Sequence, residues 1–382
     1  MLDAAVENLA RAKFYSFYKN ASIPIESIAS REFGFGDFEN KINKRHIAFK
    51  TYKDFKDYLM LNVPAFISIS TAFYKDPAAR PMENKGWLGS ELVFDLDATD
   101  LNLECQLKHG KNWVCSNCLE EIKKQTIRLI EDFLISDFGI QKHDISINFS
   151  GNRGYHVHVK DKRLFGLNDE ARKQITDYIT GTGIDLNEFF PNLGMRGEIL
   201  RGPTPSTPGW GGKLARGVIS ALNEGEEKLV RLNIDKPIAR KLAKNKSDII
   251  FGITTGNWDK VNIPKKADFW RNVLSSMTIA QTSIIDKNVT NSIHHLIRTA
   301  NTIHGDTGLL AKEVGGLSDL ERFDPMKESI IFDEGEIKIH VLSAPEFTIG
   351  GRSYGPFVNQ DVELPTYASL YLLLKRVAVL PH

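Results

Sequence analysis

Two aspartates stand two residues apart in the stretch ELVFDLD, at Asp95 and Asp97. Alternate residues of an extended strand share a face, so Leu92, Phe94 and Leu96 point one way and Val93, Asp95 and Asp97 the other. Carboxylates side by side on one face repel, and burial sharpens the conflict. A divalent cation that favours hard oxygen ligands, Mg2+ or Mn2+, removes it. A pair of such ions suits in-line phosphoryl or nucleotidyl transfer. Taken alone, D-x-D equally describes an exposed strand face with solvated aspartates. The stretch SGNRGYHVHV offers different chemistry. Ser150, Gly151, Asn152, Arg153 and Gly154 make a small polar connection in which backbone N–H groups can approach an anion. Ser150 adds a hydroxyl and Arg153 a bidentate cation suited to phosphate oxygens. His156 and His158 then project from one strand face. They could bind zinc together, His156 could touch a triphosphate, or both could be ordinary strand residues. Further on, Asp286 is expected to end a strand and to supply a third carboxylate, with Arg298 and His304 downstream.

All three cysteines fall between residues 105 and 118. Cys105, His109, Cys115 and Cys118 have the spacing C-x3-H-x5-C-x2-C. That set supplies four ligands to a tetrahedral zinc ion and leaves no position for a water. A structural knuckle is the expectation, with a redox-inert loop as the bland alternative.

The elements that must position these groups follow from pattern. MLDAAVENLARAKF predicts an amphipathic helix burying Leu2, Val6, Leu9 and Phe14. Short strands are expected around REFGFGDF and RHIAFKTY, and a clear one at ELVFDLD. A long helix is expected from about Asn117 to Phe138, with Leu119, Ile122, Ile127, Ile130 and Leu134 near one side. DISINFS and YHVHVK alternate with period two around the GNRG turn. Residues 161–280 read as a mostly helical insertion, interrupted by the Gly/Pro-rich loop NLGMRGEILRGPTPSTPGWGG. QTSIIDKN regains strand character, and Thr290 or Asn291 is placed to cap a helix through SIHHLIRTA. Strands around IIFDEGEIKIHVLS and the apolar helix YASLYLLLKRVAVL close the chain. The expected organisation is a catalytic core from 1–160 with 281–382, and the insertion at 161–280.

Composition sets the outer bounds. The 382 residues are 42% hydrophobic and 25% charged, which excludes a disordered, collagen-like or coiled-coil chain. With 49 Lys and Arg against 48 Asp and Glu, the net charge is +1. Nucleic acid would have to be attracted by a local patch. Lys41, Lys44, Arg45, Lys50 and Lys53 form one candidate, and Arg240, Lys241, Lys244 and Lys246 another; lysine runs are also ordinary solvated faces. No apolar run is long enough for a bilayer, and the charged N-terminus does not suit a signal peptide. The expected location is intracellular, in the cytoplasm or nucleoid, or in the nucleus of a eukaryote.

Taken in order, these stretches resemble the small catalytic subunit of archaeal and eukaryotic DNA primases. The matching features are the E-L-V-F-D-x-D strand, the zinc knuckle after it, the S-G-x-R-G-x-H loop, and a late Asp followed by an Arg and a His. An R-E-F-x-F stretch at Arg31–Phe35 adds to them. The resemblance implies a mixed α/β catalytic core with flanking helices, a zinc knuckle and a smaller helical subdomain. It implies that Asp95, Asp97 and Asp286 hold two Mg2+ or Mn2+ ions. It implies that Ser150, Gly151, Arg153, His156, Arg298 and His304 hold a triphosphate. Glu32 and Arg45 fall at positions used around the initiating nucleotide. Two departures stand out: Asn152 replaces an arginine, and Asp306 stands where relatives often carry lysine. The implied activity is primer synthesis from nucleoside triphosphates on single-stranded DNA, in a heterodimer with a large primase subunit. For that subunit the apolar tail Leu370–Leu380 is one candidate surface, though core packing accounts for it more simply. The rivals are a zinc-knuckle nucleic-acid-binding protein without catalysis, and a metal-dependent phosphohydrolase using His156 and His158.

Overall fold

The computed structural model describes residues 2–190 and 199–381. The first seven residues of the expected Gly/Pro-rich loop, 192–198, therefore lie outside the described residues. The chain separates into two compact units, Met1–Thr176 with Ile284–His382, and Asp177–Ser283.

The first unit is built on antiparallel sheets. One has the strand order Lys44–Ile47, Phe33–Gly36, Phe66–Ser70, Leu296–Arg298. Aromatic residues fill its core: Phe33 meets Phe49 at 5.0 Å and Phe35 meets Tyr58 at 4.5 Å between ring centroids. Two helices contribute to this core. Ala4–Asn20 starts at Asp3, whose carboxylate accepts the N–H groups of Ala5 and Val6. Its buried residues are Val6, Ala10, Phe14 and Tyr18, a strict i+4 series; Leu2 and Leu9 stay half-exposed. Tyr52–Asn62 starts with a capping box between Thr51 and Asp54.

The second sheet carries the order Glu313–Gly315, Ile145–Phe149, Gly154–Val159, Leu92–Asp97. The expected hairpin is present: Ile145–Phe149 and Gly154–Val159 pair antiparallel around the GNRG turn. The long helix is also present, as Ser116–Arg128 continued by a π-helical stretch Leu129–Ile135. It packs over the Gly154–Val159 and Leu92–Asp97 strands. Leu92, Phe94 and Leu96 are buried, whereas Asp95 and Asp97 are half-exposed, as the alternation requires. Val93 packs with Val289, Ile297 and Ile69, which joins this sheet to the first. A third sheet, Phe357–Pro365, Glu336–Ala344, Ala378–Val379, carries the C-terminal helix Thr366–Leu374. The buried side chains Leu370–Leu374 belong to the core, so the apolar tail is not a free docking face.

Two local expectations fail. Residues 282–286 form no strand, and Asp286 is instead the N-cap of the short helix Lys287–Asn291. The segment SIHHLIRTA forms no helix; Leu296–Arg298 is a strand paired with Phe66–Ser70. Thr290 does not cap but lies buried, its hydroxyl donating to the Val93 carbonyl at 2.8 Å. Pairing across more than two hundred residues outweighed a weak local helical pattern.

The second unit is mainly helical: Gly209–Glu224, Glu226–Arg231, Lys236–Lys244, Lys246–Thr254 and Lys266–Gln281. Trp258 and Trp270 meet edge-on at 4.8 Å in its core. Among the described residues, no helix is long and apolar enough to cross a membrane.

Candidate active site

Strand register brings the expected groups together. Asp95 lies opposite His156, which lies opposite Asn148; Asp97 lies opposite Gly154. Gly154 cannot be larger, since a Cβ there would sit 1.9 Å from the Leu96 carbonyl oxygen. Asp286 reaches the same place from another part of the chain: its N–H donates to the Asp95 carbonyl at 2.9 Å. Burial, then the charges of Asp97 and Asp286, push the Asp95 carboxyl up to about 7. Three carboxylates thus share one negative field. Local donors hold two of them. Asp97 Oδ1 accepts from the Thr99 N–H and hydroxyl, at 2.8 and 2.9 Å, while Asp286 Oδ1 accepts from the Asn288 N–H at 2.9 Å. The side chains of Asp95 and Asp97 remain 29% and 34% exposed, so a solvated cation can reach them. This donor set, all hard oxygens and short of positive charge, fits Mg2+ or Mn2+.

Cations and neutral imidazoles flank the carboxylates. Arg153 Nη2 lies 3.3 Å from Asp97 Oδ2, its Nη1 donates to the Lys111 carbonyl at 3.2 Å, and its Nε is buried without a partner. Ser150 Oγ accepts the N–H groups of Asn152 at 3.4 Å and Gly154 at 3.2 Å, which shapes the turn. Gly151 has φ +81°, and a Cβ there would lie 2.8 Å from His304 Cβ, so only glycine lets the two loops touch. Thr307 fastens them, its hydroxyl donating to the Gly151 carbonyl at 2.6 Å. The Asn152 amide Oδ1 is buried and unpaired.

His156 and His304 are buried, and burial, then neighbouring cationic groups, hold both well below the ordinary imidazole range. His304 Nδ1 accepts the Asp306 N–H at 3.2 Å, so its neutral ring carries a proton on Nε2, ready to donate. Arg298 lies with its guanidinium 4.9 Å from the Phe66 ring centroid, and its Nη1 is buried without a partner. Burial brings its pKa down to about 10, so it stays charged at neutral pH. A half-buried cation whose buried donor is unused suits an anionic ligand. Lys41 also acts on Asp95 and His304 electrostatically. Neither Thr307 nor Lys41 was singled out at this site by sequence; a threonine after a G-D turn carries no distinctive signal.

Glu32 is completely buried. Its carboxylate is caged by Arg45 Nε at 3.1 Å, the His46 N–H at 3.1 Å and Lys85 Nζ at 3.3 Å. Glu32 therefore orients Arg45, which is the accessible member of the pair. His158 is also structural. Its Nδ1 lies 3.0 Å from Glu91 Oε2, and the other Glu91 oxygen is paired with Arg31. Burial would raise Glu91, but the His158 and Arg31 hydrogen bonds outweigh it and bring it down to about 2. Its contribution to stability is therefore complete above the ordinary pKa near 4.5 and is lost as pH falls from there towards about 2. Removing one partner of such a pair strands a buried charge. Arg31→Met is expected to cost about 3–5 kcal/mol in urea unfolding at pH 7; a cost below about 1 kcal/mol would show the pair to be dispensable.

The four knuckle ligands lie within 4.8 Å of one another. Cys105 and His109 share one side of the Glu104–His109 helix, and Cys115 and Cys118 open Ser116–Arg128. Cys118 Sγ is 3.4 Å from Cys105 Sγ, 3.7 Å from Cys115 Sγ and 3.5 Å from His109 Nε2. A tetrahedron with bonds of about 2.3 Å has edges near ~3.8 Å, so the set fits zinc. His109 Nδ1 lies 2.8 Å from the Gly110 carbonyl, which turns the Nε2 lone pair towards the sulfurs. Burial raises the Cys118 thiol to about 12, whereas Cys105 falls to about 7 as hydrogen bonds led by Asn117 overcome its burial. Without a cation the crowded sulfurs cannot all ionise at neutral pH. Purified protein is expected to hold about one zinc per chain by atomic absorption, and Cys118→Ser to lose it with a fall of about 5 °C or more in Tm. Full zinc content in that variant would refute the ligand set.

Part of each basic patch is already engaged. Arg45 pairs with Glu32, Lys53 with Asp57 and Arg240 with Glu226.

Comparison with known proteins bears on this geometry. Residues 94–315 match a family model described as DNA primase small subunit. Proteins named DNA primase small subunit from Methanothrix thermoacetophila and Methanococcoides burtonii are each 31% identical to this chain, over 99% of it and 99% of their own length. The corresponding Methanocaldococcus jannaschii protein is 31% identical over 97% of this chain and 95% of its own.

Proposed function

We propose, given that this chain belongs to the DNA primase small-subunit family, that it joins nucleoside triphosphates on a single-stranded DNA template and that Asp95, Asp97 and Asp286 are the centre of that chemistry. The observation that carries this reading is the convergence of three carboxylates beside a half-buried arginine with a buried, unused donor. Two divalent ions held by the aspartates, Mg2+ or Mn2+, would screen charge on the attacking and leaving oxygens. The chain's own groups do the rest. The Arg298 Nη1 and His304 Nε2 protons are placed to receive phosphate oxygens. Arg153 spans the gap between Asp97 and the loop, where it can hold the leaving pyrophosphate. His156 stays neutral and lies 3.6 Å from Asp95, so it keeps a polar floor without adding charge. Fixed donors of this kind stabilise developing charge without reorganising.

Zinc at Cys105, His109, Cys115 and Cys118 has a structural role in this reading, since all four positions are filled by the protein. A large primase subunit is the proposed partner. Template phosphates are proposed to follow Lys41, Lys44 and Lys50, with Arg240–Lys246 as a second contact, and charge reversal there should flatten the salt dependence of DNA binding. Product analysis tests the reaction class. Pyrophosphate released only when template is present supports nucleotidyl transfer; orthophosphate released without template would favour a phosphohydrolase.

A further inference from the structure

Arg153 is held at one end by Asp97, and the structure also shows what holds the other. Its Nη1 donates to the carbonyl of Lys111, in the loop that follows the zinc-knuckle residue His109. The next carbonyl, that of Asn112, accepts from Lys375 Nζ at 2.7 Å. The next side chain, Trp113, is buried against Phe347 at 5.6 Å and Tyr371 at 5.9 Å between ring centroids. Lys375 Nζ lies 5.3 Å from the Trp113 ring centroid and 4.9 Å from that of Tyr371. Lys375 directly follows the buried C-terminal helix Thr366–Leu374. Three consecutive residues of the knuckle loop are thus tied, in turn, to the phosphate-loop arginine, to a C-terminal lysine and to a C-terminal aromatic cluster.

We propose that Lys375 is a positioning residue for the incoming nucleotide: with Trp113 it braces the Lys111–Asn112 backbone, and that backbone aims Arg153. The inference rests on the nucleotidyl-transfer reading above. A guanidinium with an unpaired Nε and a contact to one anionic group can rotate away unless its second contact is rigid. The Lys111 carbonyl is rigid only if its loop is. The zinc ligands His109 and Cys115 fix the two ends of the loop, and Lys375 and Trp113 hold its middle, where Lys111 lies. Arg153 is also among the charges acting on both Lys375 and Tyr371.

A double-mutant cycle tests this, using Lys375→Met, Arg153→Ala and the pair, with Lys375→Arg as the conservative variant. Nucleoside triphosphate affinity is measured by titration calorimetry on the whole chain, beside KM and kcat for synthesis. Lys375→Met is expected to raise Kd and KM about fivefold while kcat changes less than about twofold. Lys375→Arg is expected to restore most of the affinity. In the Arg153→Ala background, Lys375→Met is expected to have almost no further effect, because the group it aims is gone. Equal fold-changes in both backgrounds, or none in the wild-type background, would overturn the brace. Primer synthesis by the unmodified chain separates the two ideas. If it is present and the variants are additive, only the brace fails; if it is absent while triphosphate binding shows the coupling, only the parent reading fails.

Discussion

Asp97→Asn is expected to reduce template-directed synthesis by a factor of ~10³ or more, while melting and far-UV dichroism stay close to wild type. The asparagine keeps shape and can still accept from the Thr99 N–H and hydroxyl, so the turn after the strand survives. What it loses is negative charge at the point where the fields of Asp95, Asp97 and Asp286 overlap. It also weakens the attraction to Arg153 at 3.3 Å, which alone would cost little because both groups are part-exposed. A loss of synthesis with preserved fold therefore points to the metal site. Activity within about tenfold of wild type would remove Asp97 from the catalytic centre.

Arg298→Met is expected to raise KM for the incoming nucleotide by about a hundredfold, more than any other cation at the site. Arg298 is half-buried beside Phe66, and one of its donors, Nη1, is buried with no protein partner, where a charge-to-phosphate contact is weakly screened. Methionine fills the same volume against Phe66, so the fold should tolerate it and even gain stability from losing a half-buried charge. That pairing of weaker binding with unchanged or higher Tm is the signature of a group kept for its ligand. A KM unchanged within about twofold would show that phosphate does not reach it.

What could be read from sequence was whatever local periodicity determines. The alternation in ELVFDLD placed Asp95 and Asp97 on the opposite face from Leu92, Phe94 and Leu96, and the burial pattern agrees. The CxxC half-site and the His four residues after Cys105 describe one cluster because a helix turn brings i and i+4 together. Asp286 was identified by type and order, but its setting was not: its N–H finds the Asp95 carbonyl across nearly two hundred residues, and no local pattern encodes that. The same is true of Leu296–Arg298, whose strand state depends on Phe66–Ser70. Glu32 was named through the resemblance alone, and its burial has no local signature; only the tertiary cage of Arg45, His46 and Lys85 makes that burial tolerable. Lys375 carries no sequence signal at all, since its meaning comes from the carbonyl it meets in a loop more than two hundred and fifty residues away.

On the proposed reading this chain starts as well as extends a strand. Template-directed dinucleotide synthesis on single-stranded DNA with all nucleoside triphosphates, Mg2+ or Mn2+, and no primer tests this. Template-dependent dinucleotides and longer products are expected from the chain with its proposed large-subunit partner, lost in Asp97→Asn. Product only when a primer is supplied, or none with the partner present, would contradict it.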